Sequence, residues 1–319
     1  MNKTRRMLLA SLGLALGASS FSRAQAVANT LKMATNTLGN FHYIYNDEQH
    51  REEFHQFLIN VFNLYPDSEL HQLIYTYSKN ADSDREIYQK LQANLSDITP
   101  FLGDLRYSLP ALAKQKAVMG QQTNTLLPTD RRYEGYLEVG STGRYLDALE
   151  ESLDIQGERF FLTDKPASYS PVDMIDRGQL FKAGEDIALN QYQSELSRHL
   201  ASKSLDLVTV YIGFHHCPVP LREAFIGNIR DAMSDDGVLI LRDHDARNTK
   251  MQHMVALAHD VFNMGTNESW QYNQDELRHF YSLDELQIMM RKFGFKTDGR
   301  RLYQQGDPTR NALMAFTKA

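Results

Sequence analysis

The stretch Tyr136-Leu137-Glu138-Val139-Gly140-Ser141-Thr142-Gly143-Arg144-Tyr145 decides how the rest of the chain is read. An apolar run ends in an acid, turns through two glycines and enters a helical pattern. Glycine at such a turn lets the backbone approach a ligand closely. The acid can accept hydrogen bonds from a ligand's ammonium or hydroxyl groups. On either side the pattern alternates. Gly135–Val139, Arg159–Thr163, Leu205–Ile212 and Gly237–Leu241 read as strands, and Arg144–Leu153, Gln191–Ala201 and Leu221–Met233 as helices between them. Strand–helix–strand order predicts an α/β fold, a doubly wound and mostly parallel sheet with helices on both faces. In such sheets ligands collect at the C-terminal strand ends, near the point where strand order reverses. Asp164 closes the second strand about 26 residues after Glu138, the position from which nucleotide-type α/β folds hold a ribose.

Before residue 129 the pattern is helical. Phe54, Phe57, Leu58, Val61 and Phe62 fall on one helical face. Pro66-Asp67-Ser68 stops that helix and caps the next, which carries Leu70, Leu73, Ile74 and Tyr77. Asp82-Ser83-Asp84 opens a third with Ile87, Tyr88, Leu91, Leu95 and Ile98 inward, and Leu109–Met119 is a fourth. Residues 27–128 are therefore expected to form a helical domain, a lid or an interface, and 129–319 the sheet domain. His42, His50, His55 and His71 read as solvated or hydrogen-bonded histidines of that helical surface.

Residues 1–26 read as a signal peptide. Lys3, Arg5 and Arg6 precede an uncharged, mostly apolar Met7–Ala18, and small residues then offer cleavage after Ala24-Gln25-Ala26 or Ala26-Val27-Ala28. The apolar run is shorter than the roughly 20 residues that span a bilayer, so no stable anchor is expected once it is removed. Arg5-Arg6 suits both a Sec and a twin-arginine signal. An exported, periplasmic protein is the expectation.

Composition narrows the partners. The 319 residues include 34 Lys+Arg and 40 Asp+Glu, a formal net charge of −6, with 42% hydrophobic and 23% charged residues, as in soluble globular proteins. Removing residues 1–26 leaves 30 basic against 40 acidic side chains. That balance argues against nucleic acid as a partner, because phosphate contacts need clustered Lys and Arg. A single cysteine, Cys217, excludes an intrachain disulfide framework and a Cys-rich zinc site. The oligomeric state is not legible.

Taken in order, these elements resemble the class I S-adenosylmethionine-dependent methyltransferases, over roughly residues 130–300. Glu138-Val139-Gly140-Ser141-Thr142-Gly143 is similar to that family's first glycine-rich motif, with the spacing one residue short of the common acid-x-Gly-x-Gly-x-Gly form. Asp164 matches its ribose acid. Phe181-Lys182-Ala183-Gly184-Glu185-Asp186-Ile187 resembles the stretch after the third strand, which makes Asp186 the adenine contact. Leu205–Tyr211 and Ile229–Leu241 resemble the fourth- and fifth-strand signatures. The resemblance implies a Rossmann-like fold, S-adenosyl-L-methionine as cofactor, and Glu138, Gly140, Ser141, Gly143, Asp164 and Asp186 as its binding residues. It leaves the methyl acceptor open, a small molecule being expected.

A polar cluster follows the fourth and fifth strands: Gly213-Phe214-His215-His216-Cys217 and Arg242-Asp243-His244-Asp245. His and Asp can act as acid and base or bind metal. With no ligand spacing such as His-x-x-x-His among them, the expectation is metal-free, with His215, His216 and His244 as catalytic groups. Two other readings stay open: an exported binding protein that keeps the fold without catalysis, and a metal-dependent enzyme using His215, His216, Asp243, His244 and Asp245. His253, His259 and Asp260 lie on a helix expected over Met251–Asn263, where a buried-edge hydrogen bond is the simpler role. Trp270 is expected to pack on the edge of the core. Ser282 should cap a helix bearing Leu283, Leu286 and Met289-Met290, and Ala312–Thr317 should be the last strand.

Overall fold

The computed structural model describes residues 39–101, 104–128, 130–164 and 183–319, with 166, 168, 170 and 174 between. The expected signal peptide lies outside the described residues, as do Phe181 and Lys182.

The first layer is helical: α1 (Asn40–Tyr45), α2 (Glu48–Phe57), α3 (Asp67–Asn80), α4 (Asp84–Asn94) and α5 (Leu109–Leu126). Its helices start where the sequence supplies side-chain acceptors. Asp47 takes the His50 N–H at 2.9 Å to open α2, and Ser83 takes that of Glu86 at 3.3 Å to open α4. The apolar face of α2 does not continue as α-helix. Leu58–Phe62 is a π-helical turn, closed by the Asn63 N–H on the Leu58 carbonyl at 3.2 Å and stopped by Asn63 at φ +47°.

The sheet holds β1 (Arg132–Val139), β2 (Asp154–Thr163), β3 (Glu185–Ala188), β4 (Leu205–Val210) and β5 (Met233–His244) in parallel, with β6 (Phe295–Lys296), β7 (Leu302–Tyr303) and β8 (Asn311–Lys318) completing it. The order is β3-β2-β1-β4-β5-β8-β6, with β7 also on β8, and β8 runs antiparallel to β5. Alternation along the strands feeds two cores. Leu137, Leu162, Val208 and Leu239 face one side, Tyr136, Phe161, Leu207 and Ile240 the other. Burial on both faces is why these strands read as nearly continuous apolar runs. Strand order reverses between β1 and β4, so the switch point lies beside Val139 and Val210, which pair in register.

Helices α6 (Leu146–Glu150), α7 (Arg222–Ala232), α8 (Thr249–Gly265), α9 (Trp270–Asp275) and α10 (Leu283–Lys292) pack around the strands and the helical layer. The helix expected over Gln191–Ala201 is instead two 3-10 turns, Asn190–Tyr192 and Leu196–Arg198. Asn190, Gln191 and Tyr192 sit at φ +48°, +54° and +67°, a left-handed path that no α-helix can join. The helix expected over Arg144–Leu153 shortens to α6, because the glycine turn occupies its first residues. Trp270 packs edge-on against Tyr88, on the margin of the helical core as expected. That core also takes Met254, Leu257, Val261 and Met264 from α8, so residues 39–128 do not build it alone. Among the described residues no helix is long and apolar enough to cross a membrane.

Candidate active site

The glycine turn is organised from within. Glu138 is fully buried at the C-terminal end of β1. Its carboxylate accepts the Tyr136 hydroxyl at 2.8 Å, the Ser141 hydroxyl, and the Tyr145 N–H at 3.3 Å. Burial pushes Glu138 upward against the pull of these donors. Glu138 and Ser141, expected as cofactor contacts, therefore turn their polar atoms on each other and hold the loop's shape. Gly140 and Gly143 lie at φ +89° and +87°. A Cβ on Gly143 would stand 2.7 Å from the Phe161 ring, and one on Gly140 3.2 Å from Ile212. Both conformation and space thus demand glycine here. Asp164 stands half-buried just past β2, where its Oδ1 accepts the Asn190 N–H at 2.8 Å. Asp186 is placed differently from expectation. It pairs with Phe161 inside β3, two residues before the strand ends at Ala188, so it lies on the sheet face rather than at the mouth.

The imidazole cluster is built by three elements. His215 and His216 occupy a 3-10 turn after β4, His244 ends β5, and His259 projects from α8. Strand β5 runs three residues past the expected Leu241 because β8 pairs with it as far as His244↔Asn311. Asp243 holds His215: its Oδ1 accepts Nδ1–H at 2.6 Å, and its Oδ2 takes the His215 N–H at 3.1 Å and the Tyr281 hydroxyl at 2.5 Å. Burial opposes charge on Asp243, but the His215 ring and these donors hold its carboxyl well below the usual carboxylate range. The other rings are tied the same way, His216 Nδ1 to the Leu277 carbonyl at 2.8 Å, His244 Nδ1 to that of Thr309 at 3.0 Å, and His259 Nδ1 to that of Val255 at 2.9 Å. An Nδ1 that faces an acceptor carries the proton, so in the neutral ring Nε2 keeps the lone pair. Burial drives all four rings toward the neutral form, His215 down to about 3.

Asp245 leaves the cluster. It receives the Leu283 N–H at 3.0 Å, the Tyr303 hydroxyl at 2.6 Å and Arg247 Nε at 2.7 Å, which anchors the start of α10. Cys217 is buried and its thiol pushed up to about 12, so it supplies no thiolate. His253 and Asp260 meet through Asn40, whose side chain bonds both at 2.9 Å, the edge hydrogen bonding expected of them. His259 is the member that sequence reasoning did not place in the cluster. It lies 44 residues from His215, and no spacing joins them.

A cavity of about 130 Å³ lies between the helical layer and the strand ends. Its apolar wall includes Phe57, Val61, Phe62 and Phe262, and its polar wall His215, His216, His244 and His259. Lys114, Arg144 and Arg242 add basic groups, while none of the lining residues among the described ones is acidic. Arg144 and Tyr145 bring the end of the glycine turn to the lining. Gly140 itself stands behind Ile212 rather than on the lining.

The sequence matches a family model described as a methyltransferase domain over residues 112–298, more than half of the chain. Among solved structures the chain is similar to the mitomycin 7-O-methyltransferase MmcR, with 13% identity, 79% of this chain and 67% of that one covered, and a TM-score of 0.43. It is similar to a possible histamine N-methyltransferase of Thermotoga maritima, with 16% identity, 66% and 91% covered, and a TM-score of 0.44. It is also similar to the 1,6-didemethyltoxoflavin-N1-methyltransferase of Burkholderia thailandensis with bound 1,6-didemethyltoxoflavin and S-adenosylhomocysteine, with 12% identity, 75% and 92% covered, and a TM-score of 0.43. No curated protein matches the chain in sequence. The family model supports neither of the other readings, the non-catalytic exported binding protein or the metal-dependent enzyme using His215, His216, Asp243, His244 and Asp245. The positive-φ glycines and the acid past β2 fit the donor that this family uses. The chain belongs to the S-adenosylmethionine-dependent methyltransferases.

Proposed function

We propose that the protein methylates a small acceptor carrying negative charge, seated in the cavity between the helical layer and the strand ends. The observation that carries this reading is the lining, with Lys114, Arg144 and Arg242 and, among the described residues, no carboxylate. The volume of about 130 Å³ suits a group near the size of a benzene ring, which a cavity of roughly 150 Å³ holds. S-adenosylmethionine supplies an electrophilic methyl group when bound. Gly140 and Gly143 let it approach the backbone, Asp164 accepts from its ribose, and Glu138 with Ser141 keeps the turn in shape. The placement of Asp186 inside β3 makes it a weaker partner for the adenine than Asp164 is for the ribose.

Transfer needs alignment and, because the methyl goes to a hydroxyl or amine carried beside the anionic group, a place for that group's proton. His244 takes that role: its Nδ1–H is fixed on the Thr309 carbonyl, so a neutral Nε2 is left to receive the proton. His215, held by Asp243, and His216 orient the acceptor. The test pairs calorimetric binding of S-adenosylhomocysteine with radiolabelled methyl transfer to a panel of small carboxylates and phosphates that also bear a hydroxyl or amino group. Asp164→Ala should weaken product binding by about 1–3 kcal/mol. Binding that is absent at millimolar product would sink the donor assignment. Transfer to neutral or cationic acceptors alone would sink the acceptor class.

A further inference from the structure

We propose that His215, His216 and His259 form a site for one divalent transition metal, zinc being the best match. The inference shares the cavity of the methyl-transfer reading but does not depend on donor binding. One ring nitrogen from each of the three buried histidines lies within 4.8 Å of the others. His215 Nε2 and His259 Nε2 are 3.1 Å apart. Both rings already donate through Nδ1, to Asp243 and to the Val255 carbonyl. With both rings donating through Nδ1, two lone pairs face each other at hydrogen-bond distance, an arrangement that a shared cation relieves. His216 Nε2 is the third such atom: it is buried and has no hydrogen-bond partner among the described residues.

A proton is one candidate for that cation. It would join only two of the nitrogens and leave His216 Nε2 unmatched. Burial, Arg278 and the other three rings also press against an imidazolium at His259. A metal engages all three lone pairs at once. Two nitrogens bound tetrahedrally at about 2.05 Å stand about 3.3 Å apart, close to the observed pair. Each ligand ring has the outer-shell acceptor that metal-bound histidine requires, one of them the carboxylate of Asp243. Arg278 does not veto the charge, because Asp260 and Glu276 pair with it at 2.7 Å each. Three neutral imidazoles without a thiolate suit zinc, copper, iron or nickel. Three protein ligands leave a coordination position open, and all three rings line the cavity. His244 is not among the three rings whose nitrogens lie within 4.8 Å of one another.

Chelator-stripped full-length protein titrated with zinc alone should take up one equivalent by calorimetry. Cobalt should give the intense visible bands of a low-coordinate, nitrogen-bound ion. His216→Ala and His259→Ala should each weaken zinc binding by at least about 100-fold, and Asp243→Asn by about 10–100-fold, the range for an outer-shell partner. No zinc uptake by the unaltered protein would overturn the site. So would the weak bands of a six-coordinate, water-rich cobalt ion, or wild-type zinc affinity in both alanine variants. The cobalt spectrum needs no variant, so the result does not hang on how the variants fold. S-adenosylhomocysteine binding is measured on the same samples. Zinc uptake without product binding would sink the methyl-transfer reading and leave the metal site standing, and the reverse would sink only the metal site.

Discussion

At the residue scale the buried imidazoles set how the fold responds to acid. A histidine titrates near 6.5 in the unfolded chain. His215, His216, His244 and His259 are held below that in the folded state, by burial first. Below pH 6.5 the unfolded chain binds protons that the folded one refuses, so stability falls as pH falls. Each ring that stays neutral contributes a slope of about 1.4 kcal/mol per pH unit. Asp243, also depressed, adds to the loss only below its unfolded value near 3.9. Urea unfolding of metal-stripped protein at pH 7.5, 6 and 5 should give midpoints that drop with each step. A midpoint constant across that range would refute the neutral cluster. Three of these rings were legible in the chain because they follow strands whose ends must converge. His259 was not, since a histidine within a helix carries no mark of what its helix packs against. The hydrogen bond between Ser141 and Glu138 was illegible for a related reason: an acid before a glycine turn reads the same whether it holds a ligand, the turn or both.

At the element scale, Ser282 illustrates a start signal that sequence and structure share. It forms a reciprocal cap with Glu285, receiving that residue's N–H at 3.2 Å while its own N–H reaches the Glu285 carboxylate at 2.7 Å. Ser282→Ala should cost about 1 kcal/mol, read as a lower urea midpoint with an unchanged slope. An unchanged midpoint would mean that the hydrogen bond from Leu283 to Asp245 suffices to start α10. The 3-10 turns after β3 show the opposite case. Residues 191–201 have an ordinary helical composition, yet the backbone there must turn over the end of β2, where Asp164 takes the Asn190 N–H. Tertiary geometry overrides local propensity at that point.

At the scale of the whole molecule, α8 belongs to two structures at once. Its apolar residues complete the helical core, and His259 on the same helix closes the imidazole cluster at the strand ends. The Tyr65 hydroxyl bonds the Gly265 carbonyl at 2.8 Å, tying the helical layer to the end of α8. Calorimetry should therefore give one cooperative transition, not separate melting of 39–128 and 129–319. Two resolved transitions would show that the shared helix does not couple the layers. The sequence made both regions visible through their different periodicities. It did not reveal that a helix from the second completes the core of the first, because an amphipathic pattern states that a face is buried and not against what.

The π-helical turn at Leu58–Phe62 gives the cavity a different kind of adjustability. Asn60, Val61 and Phe62 reach the lining from a turn that contains one residue more than an α-helical turn. Deleting a single residue there would restore ordinary helical winding and swing the following side chains by about 100° around the axis. The shape of that wall is thus written in chain length as well as in side-chain identity. A one-codon deletion or insertion can redraw it wholesale, where substitutions would change it one group at a time.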